Sequence, residues 1–242
     1  MALILSVDTT TPVCSAAVSE HGKTISCSEN HIDRSHAAML NLLIEQACIE
    51  AGKLLGQMDA IAVSKGPGSY TGLRIGVSTV KGLCYALNKP MIAVDTLKIM
   101  AGMALNKQPG LKPDSLICPM IEARRDEVYA AIYNINLECI RSLQAEILTS
   151  GSFGEFISEN QIFCCGNGSL KARDIIVNPK ILFIDGIYPS AGFMGAEAFA
   201  RFTAGILEDV AYFEPYYLKD FVATVPKNKV LGGFGNAGAT HL

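Results

Sequence analysis

Ala2-Leu3-Ile4-Leu5-Ser6-Val7-Asp8 and, further along, Leu116-Ile117-Cys118-Pro119-Met120-Ile121-Glu122 decide the fold. Each is a short apolar run that closes on an acid. A strand apolar on both sides belongs in the middle of a sheet covered on both faces. The chain then does the same thing after each run. After the first come a turn over Thr9 to Pro12, a strand at 13–20, a turn at His21-Gly22-Lys23 and an alternating strand at 24–29. Gly22 suits that turn because it takes positive φ without strain. After the second come strands at 127–135 and near 139–146. Sliding the sequence so that Asp8 falls on Glu122 also lays Ala16-Ala17 on Ala130-Ala131 and Val18 on Ile132. Two antiparallel meanders in the same order point to an internal duplication, and a duplication sets the architecture.

Outward from the first meander, residues 35–52 read as a helix with Ser35 as N-cap and Gly52 as its stop. Its apolar residues Met39, Leu40, Leu42, Leu43, Ile44, Ala47, Cys48 and Ile49 spread beyond one stripe, so more than one face must be covered. A strand at 59–65, the turn Gly66-Pro67-Gly68-Ser69-Tyr70-Thr71-Gly72, a helix at 72–88, a strand at 91–94 and a helix from an Asp95-Thr96 cap to about Leu105 follow. The polar, Pro- and Gly-rich segment from Lys107 to Asp114 is the linker. The second meander is followed by a strand at 161–165, a helix near 169–176, a strand at 180–184 and a long helix at about 190–208. Two βββαβα units joined this way match the α/β architecture of actin, Hsp70 and the sugar kinases, the ASKHA fold, with a cleft between the halves. The expected domains are 1–106 and 112–242, the second carrying a flexible Gly-rich tail around Leu231 to Gly238. A fold of this kind assigns no function by itself.

With 242 residues, half of them hydrophobic and 18% charged, the chain has ample material for a core. A net charge of −3 and a pI near 5.8 argue against a protein that grips nucleic acid unaided. The eight cysteines form no C-x-x-C pair and sit mostly in apolar runs, as small buried hydrophobes of a reducing compartment do. The opening residues read as a strand rather than a signal peptide, and no apolar stretch is long enough to span a bilayer. A cytoplasmic location is expected.

Four stretches could carry chemistry. Asp8-Thr9-Thr10-Thr11 places an acid and hydroxyls on a tight turn, fit either for phosphate oxygens or for capping the turn itself. Ser64 to Gly76 resembles a phosphate cradle at a helix start, without the Gly-Lys-Ser/Thr of a Walker loop. In the following helix Leu73, Val77, Val80, Cys84 and Leu87 form an apolar stripe, and Gly72, Gly76 and Thr79 a small-residue face that lets another backbone come close. Cys165-Gly166-Asn167-Gly168-Ser169 could approach a nucleotide or simply turn from strand to helix. His31 and His36 are five apart, the wrong spacing for a helical zinc pair, and His21 and His241 stand alone, so no metal or other cofactor is expected.

Ile4 to Thr10, Gly66 to Gly76, Ile121-Glu122-Ala123-Arg124-Arg125-Asp126-Glu127-Val128-Tyr129 and Glu214-Pro215-Tyr216-Tyr217-Leu218-Lys219 together resemble signatures of the TsaB family, in family order over about residues 1–221. Glu122 stands where the family usually has Asp. The resemblance implies a non-catalytic paralogue of TsaD, within the glycoprotease-like group, that supports synthesis of threonylcarbamoyladenosine in tRNA. The implied partners are a TsaD-type paralogue in a heterodimer and a TsaE-type ATPase, with tRNA contacted only indirectly. In the absence of the paralogue, two copies could dock on each other as a homodimer, since an isologous patch can pair with itself. TsaD's H-x-x-x-H metal motif has no counterpart here. The implied partner surface lies on the first unit's helices, at Met39, Leu40, Leu43 and Ala47, and at Ser69, Tyr70, Gly72, Leu73, Gly76 and Val80. A vestigial nucleotide cleft would fall at Asp8, Thr9, Thr10, Glu122, Gly166 and Gly168. The competing readings are a small-molecule kinase of the same fold and a metallopeptidase.

Overall fold

The computed structural model describes residues 2–32, 34–123, 127–158 and 160–218. Strands β1 (Leu3–Asp8), β2 (Cys14–Glu20) and β3 (Lys23–Asn30) form the first meander. Helix α1 (His36–Glu50), β4 (Ala60–Gly66), α2 (Tyr70–Leu87), β5 (Met91–Asp95) and α3 (Thr96–Lys107) complete the first half. The second half runs β6 (Leu116–Glu122), β7 (Glu127–Asn134), β8 (Cys139–Ile147), the short α4 (Gly154–Ile157), β9 (Ile162–Cys165), α5 (Ser169–Ile175), β10 (Ile181–Ile184) and α6 (Gly195–Thr203). The two sheets have orders β3-β2-β1-β4-β5 and β8-β7-β6-β9-β10, so strand for strand the second repeats the first. β1 is antiparallel to β2 and parallel to β4, and β6 is antiparallel to β7 and parallel to β9. This is the duplicated α/β topology read from the sequence.

Both faces of the first sheet are covered, which is why β1 is apolar throughout. Leu3, Leu5 and Val7 pack with α1 and α2 on one side. Ile4 packs with Ile92, Val94, Ile99 of α3 and Met194 and Ala198 on the other. Helix α3 is shared between the sheets, since its Leu97, Met100, Ala101 and Ala104 pack with Ile117, Ile121 and Ala131 of the second. Helices α4 and α5 close the far face of that sheet around Phe153, Ala172 and Ile176. The layers therefore run α1 and α2, sheet, α3 and α6, sheet, α4 and α5.

Several local expectations change. The long helix expected at 190–208 is a 3₁₀ turn at Ala191–Phe193 followed by a nine-residue α6. A β-carbon on Gly195 would lie 2.9 Å from the Gly22 carbonyl and from Ser19, so the chain bends here to dock on the first sheet, and Gly205 at φ +70° ends the helix. By packing, α6 thus sits with the first sheet, although it lies in the second half by chain order. Ser35 stands at the N-cap of α1 but makes no capping bond. Its hydroxyl donates to the Ile32 carbonyl and accepts from Asn30. Asp95 likewise gives no cap bond to α3, because its carboxylate is taken by Lys65 and Arg201. The expected tail around 231–238, and Arg124-Arg125-Asp126 and Lys219, lie outside the described residues.

Candidate functional site

Two threonines, Thr9 and Thr10, and three glycines lock β1 to the start of α2. The Asp8 carboxylate accepts the Thr10 amide at 3.0 Å, the Thr10 hydroxyl at 2.9 Å and the Ser64 hydroxyl. Asp8 is fully buried, and burial pushes its carboxyl above the ordinary value even though these donors pull it down. Thr9 donates its hydroxyl to the Gly72 carbonyl at 2.7 Å, and the Ser69 amide donates to the Thr10 carbonyl at 2.7 Å. Backbones this close exclude side chains. A β-carbon would meet the Thr10 carbonyl oxygen at 2.5 Å from Gly68, the Thr9 carbonyl oxygen at 2.0 Å from Gly72, and the Thr9 hydroxyl at 2.3 Å from Gly76. The backbone that the small-residue face of α2 admits is therefore the chain's own β1–β2 turn.

The cleft between the halves is about 380 Å³ and is lined by Thr10, Thr11, His36, Gly68 and Ser69 from the first half, and by Ile121, Glu122, Ala123 and Asn167 from the second. Of the residues expected to form it, Thr10 and Glu122 line it. Asp8 and Thr9 are sealed behind the turn, as their hydrogen bonds require. Gly166, at φ +93°, and Gly168 press on β6 instead. A β-carbon would lie 2.3 Å from the Met120 carbonyl oxygen in the first and 3.0 Å from Ile121 in the second. Glu122 pairs with Lys171 at 2.9 Å, and its amide donates to the Asn167 side-chain carbonyl at 3.0 Å. His36 holds the Thr11 carbonyl at 2.8 Å, and His31 lies 3.4 Å from Glu29. Among the described residues no three His, Cys, Asp or Glu side chains come together as metal ligands.

Helices α1 and α2 form the outermost layer, and the structure sorts their residues. Leu40, Leu43 and Ala47 of α1 and Leu73 and Val80 of α2 are buried in the chain's own core, with Gly72 and Gly76 against the turn. Met39 is half-buried, and Ser69 and Tyr70 are exposed at the start of α2. The expected partner surface left out the apolar residues that do face solvent. Leu42 is 56% exposed and Ile49 70%, one heptad apart on α1, and Tyr85 on α2 is 87% exposed. Beside Tyr85 runs a second small-residue line, Ser78, Gly82 and Ala86, also exposed, with nothing within 4 Å of a β-carbon on Gly82. The segment after α6 straps onto α2. Lys81 donates to the carbonyls of Ala211 and Phe213 at 3.0 and 3.1 Å, and the Tyr70 and Tyr217 rings lie 4.9 Å apart. No helix among the described residues is long and apolar enough to cross a membrane.

Residues 29–153 match the family model described as TsaD, tRNA N6-adenosine threonylcarbamoyltransferase. The chain is 30% identical over 232 residues to the tRNA threonylcarbamoyladenosine biosynthesis protein TsaB of Escherichia coli K12, covering 91% of this chain and 96% of that one. It is 31% identical over 130 residues to the TsaB protein of Bacillus subtilis 168, covering 54% of each. The solved structure of YeaZ from Pseudomonas aeruginosa superposes with a TM-score of 0.78 at 29% identity, over 90% of this chain and all of that one. With its full-length relative, its matching fold and the loop-to-helix block in place, the chain belongs to the TsaB family.

Proposed function

We propose that this chain takes part in making N6-threonylcarbamoyladenosine in tRNA as a non-catalytic subunit, docked through the outer faces of α1 and α2 on a TsaD-type paralogue. One observation carries the docking reading: Leu42, Ile49 and Tyr85 stand exposed on two neighbouring helices beside the small residues Ser78, Gly82 and Ala86. Protruding apolar side chains next to a line of small ones are what a helix pair needs to receive another helix pair closely. The same patch could pair with itself in the absence of the paralogue. In this reading the partly or fully exposed Met39, Ser69 and Tyr70 would extend the face, whereas the buried Leu40, Leu43, Ala47, Gly72, Leu73, Gly76 and Val80 would support it from behind.

The non-catalytic part of the proposal draws on the cleft. Asp8 is enclosed in its turn, and Glu122 is committed to Lys171. Among the described residues, that leaves no acid lining the cleft unpaired to act as a base. In this reading tRNA and a TsaE-type ATPase meet the complex mainly through the catalytic subunit, in keeping with a net charge of −3, and the complex works in the cytoplasm.

The test is co-purification of the Leu42→Glu, Ile49→Glu double variant with its TsaD-type paralogue. Losing two apolar anchors of about 1.5 kcal/mol each weakens association more than about a hundredfold. Both side chains face solvent in the free chain, so its melting temperature should hold. A variant that still forms the complex with unchanged affinity rules this docking face out.

A further inference from the structure

A second cavity lies away from the cleft. It measures about 620 Å³ and sits where the ends of β4 and β5, helices α3 and α6 and the β7–β8 hairpin meet. One wall carries Lys65, Lys98 and Arg201 together with Asp95, the three cations being shared between Asp95 and Glu197. Lys65 lies 3.1 Å from Asp95, Lys98 lies 2.7 Å from Glu197, and Arg201 reaches Glu197 at 2.9 Å and Asp95 at 3.5 Å. Each lysine carries three N–H donors and the arginine five, so these three side chains bring more donors than two carboxylates can accept.

Tyr133 faces this wall. It is 6% exposed, it lines the cavity, and none of the hydrogen bonds among the described residues takes up its hydroxyl. Burial pushes that hydroxyl above its ordinary pKa, with Asp95 adding to the effect, so it stays a donor at neutral pH. The rest of the lining includes the apolar Leu137 and Leu143 and the ring of Tyr216. Tyr216 is held at the mouth by its amide, which donates to the Lys65 carbonyl at 2.8 Å. Glu138, also on the hairpin wall, accepts from Asn134 at 2.6 Å and is exposed.

We propose that this cavity binds a small organic anion. Its carboxylate lies between the Lys65, Lys98 and Arg201 cluster and the Tyr133 hydroxyl, and its apolar body lies against Leu137, Leu143 and Tyr216. Charge-assisted bonds from several cations hold the anionic end, and the hydroxyl fixes its direction. The site uses none of the residues of the docking face, so it stands or falls independently of that reading.

Isothermal titration of the full chain with sodium benzoate, sodium acetate and benzylamine tests the proposal. Benzoate should bind at one site per chain, about tenfold tighter than acetate, and benzylamine should not bind. Tyr133→Phe removes only the hydroxyl and should weaken benzoate about tenfold, the cost of one hydrogen bond to a charged group. The melting temperature of that variant certifies its fold. Arg201→Gln should weaken benzoate further. No saturable benzoate binding, benzylamine binding as tight as benzoate, or a folded Tyr133→Phe with unchanged affinity would each overturn the proposal.

Discussion

Gly72 and Gly82 lie on the same helix, and replacing each with alanine should move stability in opposite directions. A β-carbon on Gly72 would lie 2.0 Å from the Thr9 carbonyl oxygen and 3.2 Å from the Ser69 β-carbon. The Thr9 backbone has little room to retreat, because its neighbour Thr10 is tied to Asp8 and its own hydroxyl bonds the Gly72 carbonyl at 2.7 Å. Alanine gains about 1 kcal/mol of helix propensity over glycine. Against this stand an overpacking cost at the upper end of about 1–3 kcal/mol and a weakened buried hydrogen bond of about 1 kcal/mol. The net loss is about 2–3 kcal/mol. For a chain of this size that lowers the melting temperature by about 5–10 °C. Gly82 has nothing within 4 Å of the added carbon, so there alanine keeps the propensity gain and raises the melting temperature by about 1–4 °C. Thermal unfolding followed by circular dichroism, with urea titrations beside it, measures both. A Gly72→Ala variant that melts at or above the parent would refute the locked turn and return the glycine to the surface as a contact residue.

Asp8 gives a pH signature. Burial raises its native pKa, so the folded protein keeps a proton that the unfolded chain has lost, and stability falls as pH rises from about 4 through the raised value. Asp8→Asn should remove that slope in urea unfolding series from pH 4 to 7, and a slope equal to the parent's would show that Asp8 titrates as an ordinary carboxylate. Thiol titration gives another check. Cys27 and Cys139 are exposed and the other six cysteines are buried, so the native protein should show two accessible thiols of eight, and eight after denaturation. Both should react slowly at neutral pH, because partial burial pushes each thiol up, with Glu29 adding to it at Cys27 and Asp95 at Cys139. Fast labelling of a third thiol would mean that a core strand, or α1 at Cys48 or α2 at Cys84, opens.

Most of the fold was legible because it rests on local pattern. Runs such as Leu3 to Val7 and Leu116 to Ile121 carry their burial on both faces in their composition, and the repeated meander fixed the topology without any long-range contact being known. The break at Met194 was not legible. The stretch from 190 to 208 offers glycines at 192, 195 and 205, and contact with Ser19 and Gly22, far away in the chain, is what puts the bend at Gly195.

Which of the expected site residues lie buried was illegible for the same physical reason. Helix α2 carries two lines of small residues at helical spacing, one through Gly72 and Gly76 and one through Ser78, Gly82 and Ala86. Period alone says that each can admit a close neighbour, and does not say whose. The first is filled by Thr9, whose turn reaches α2 only once β1 and β4 are paired. On α1 the apolar arc spreads beyond one stripe, and Leu40 and Leu43 differ from Leu42 only in phase, which β2 and β3 settle by where they lie. Asp8 follows the same logic. A strand-terminal acid reads as a ligand for phosphate until the Ser64 hydroxyl arrives from the adjacent strand and closes it in. Of each such pair of readings, the one that uses the chain's own distant backbone removes a polar group or a small-residue groove from the inventory of sites. What stays exposed on α1 and α2 after the sheet has formed is the pair Leu42 and Ile49, Tyr85, and the open space at Gly82.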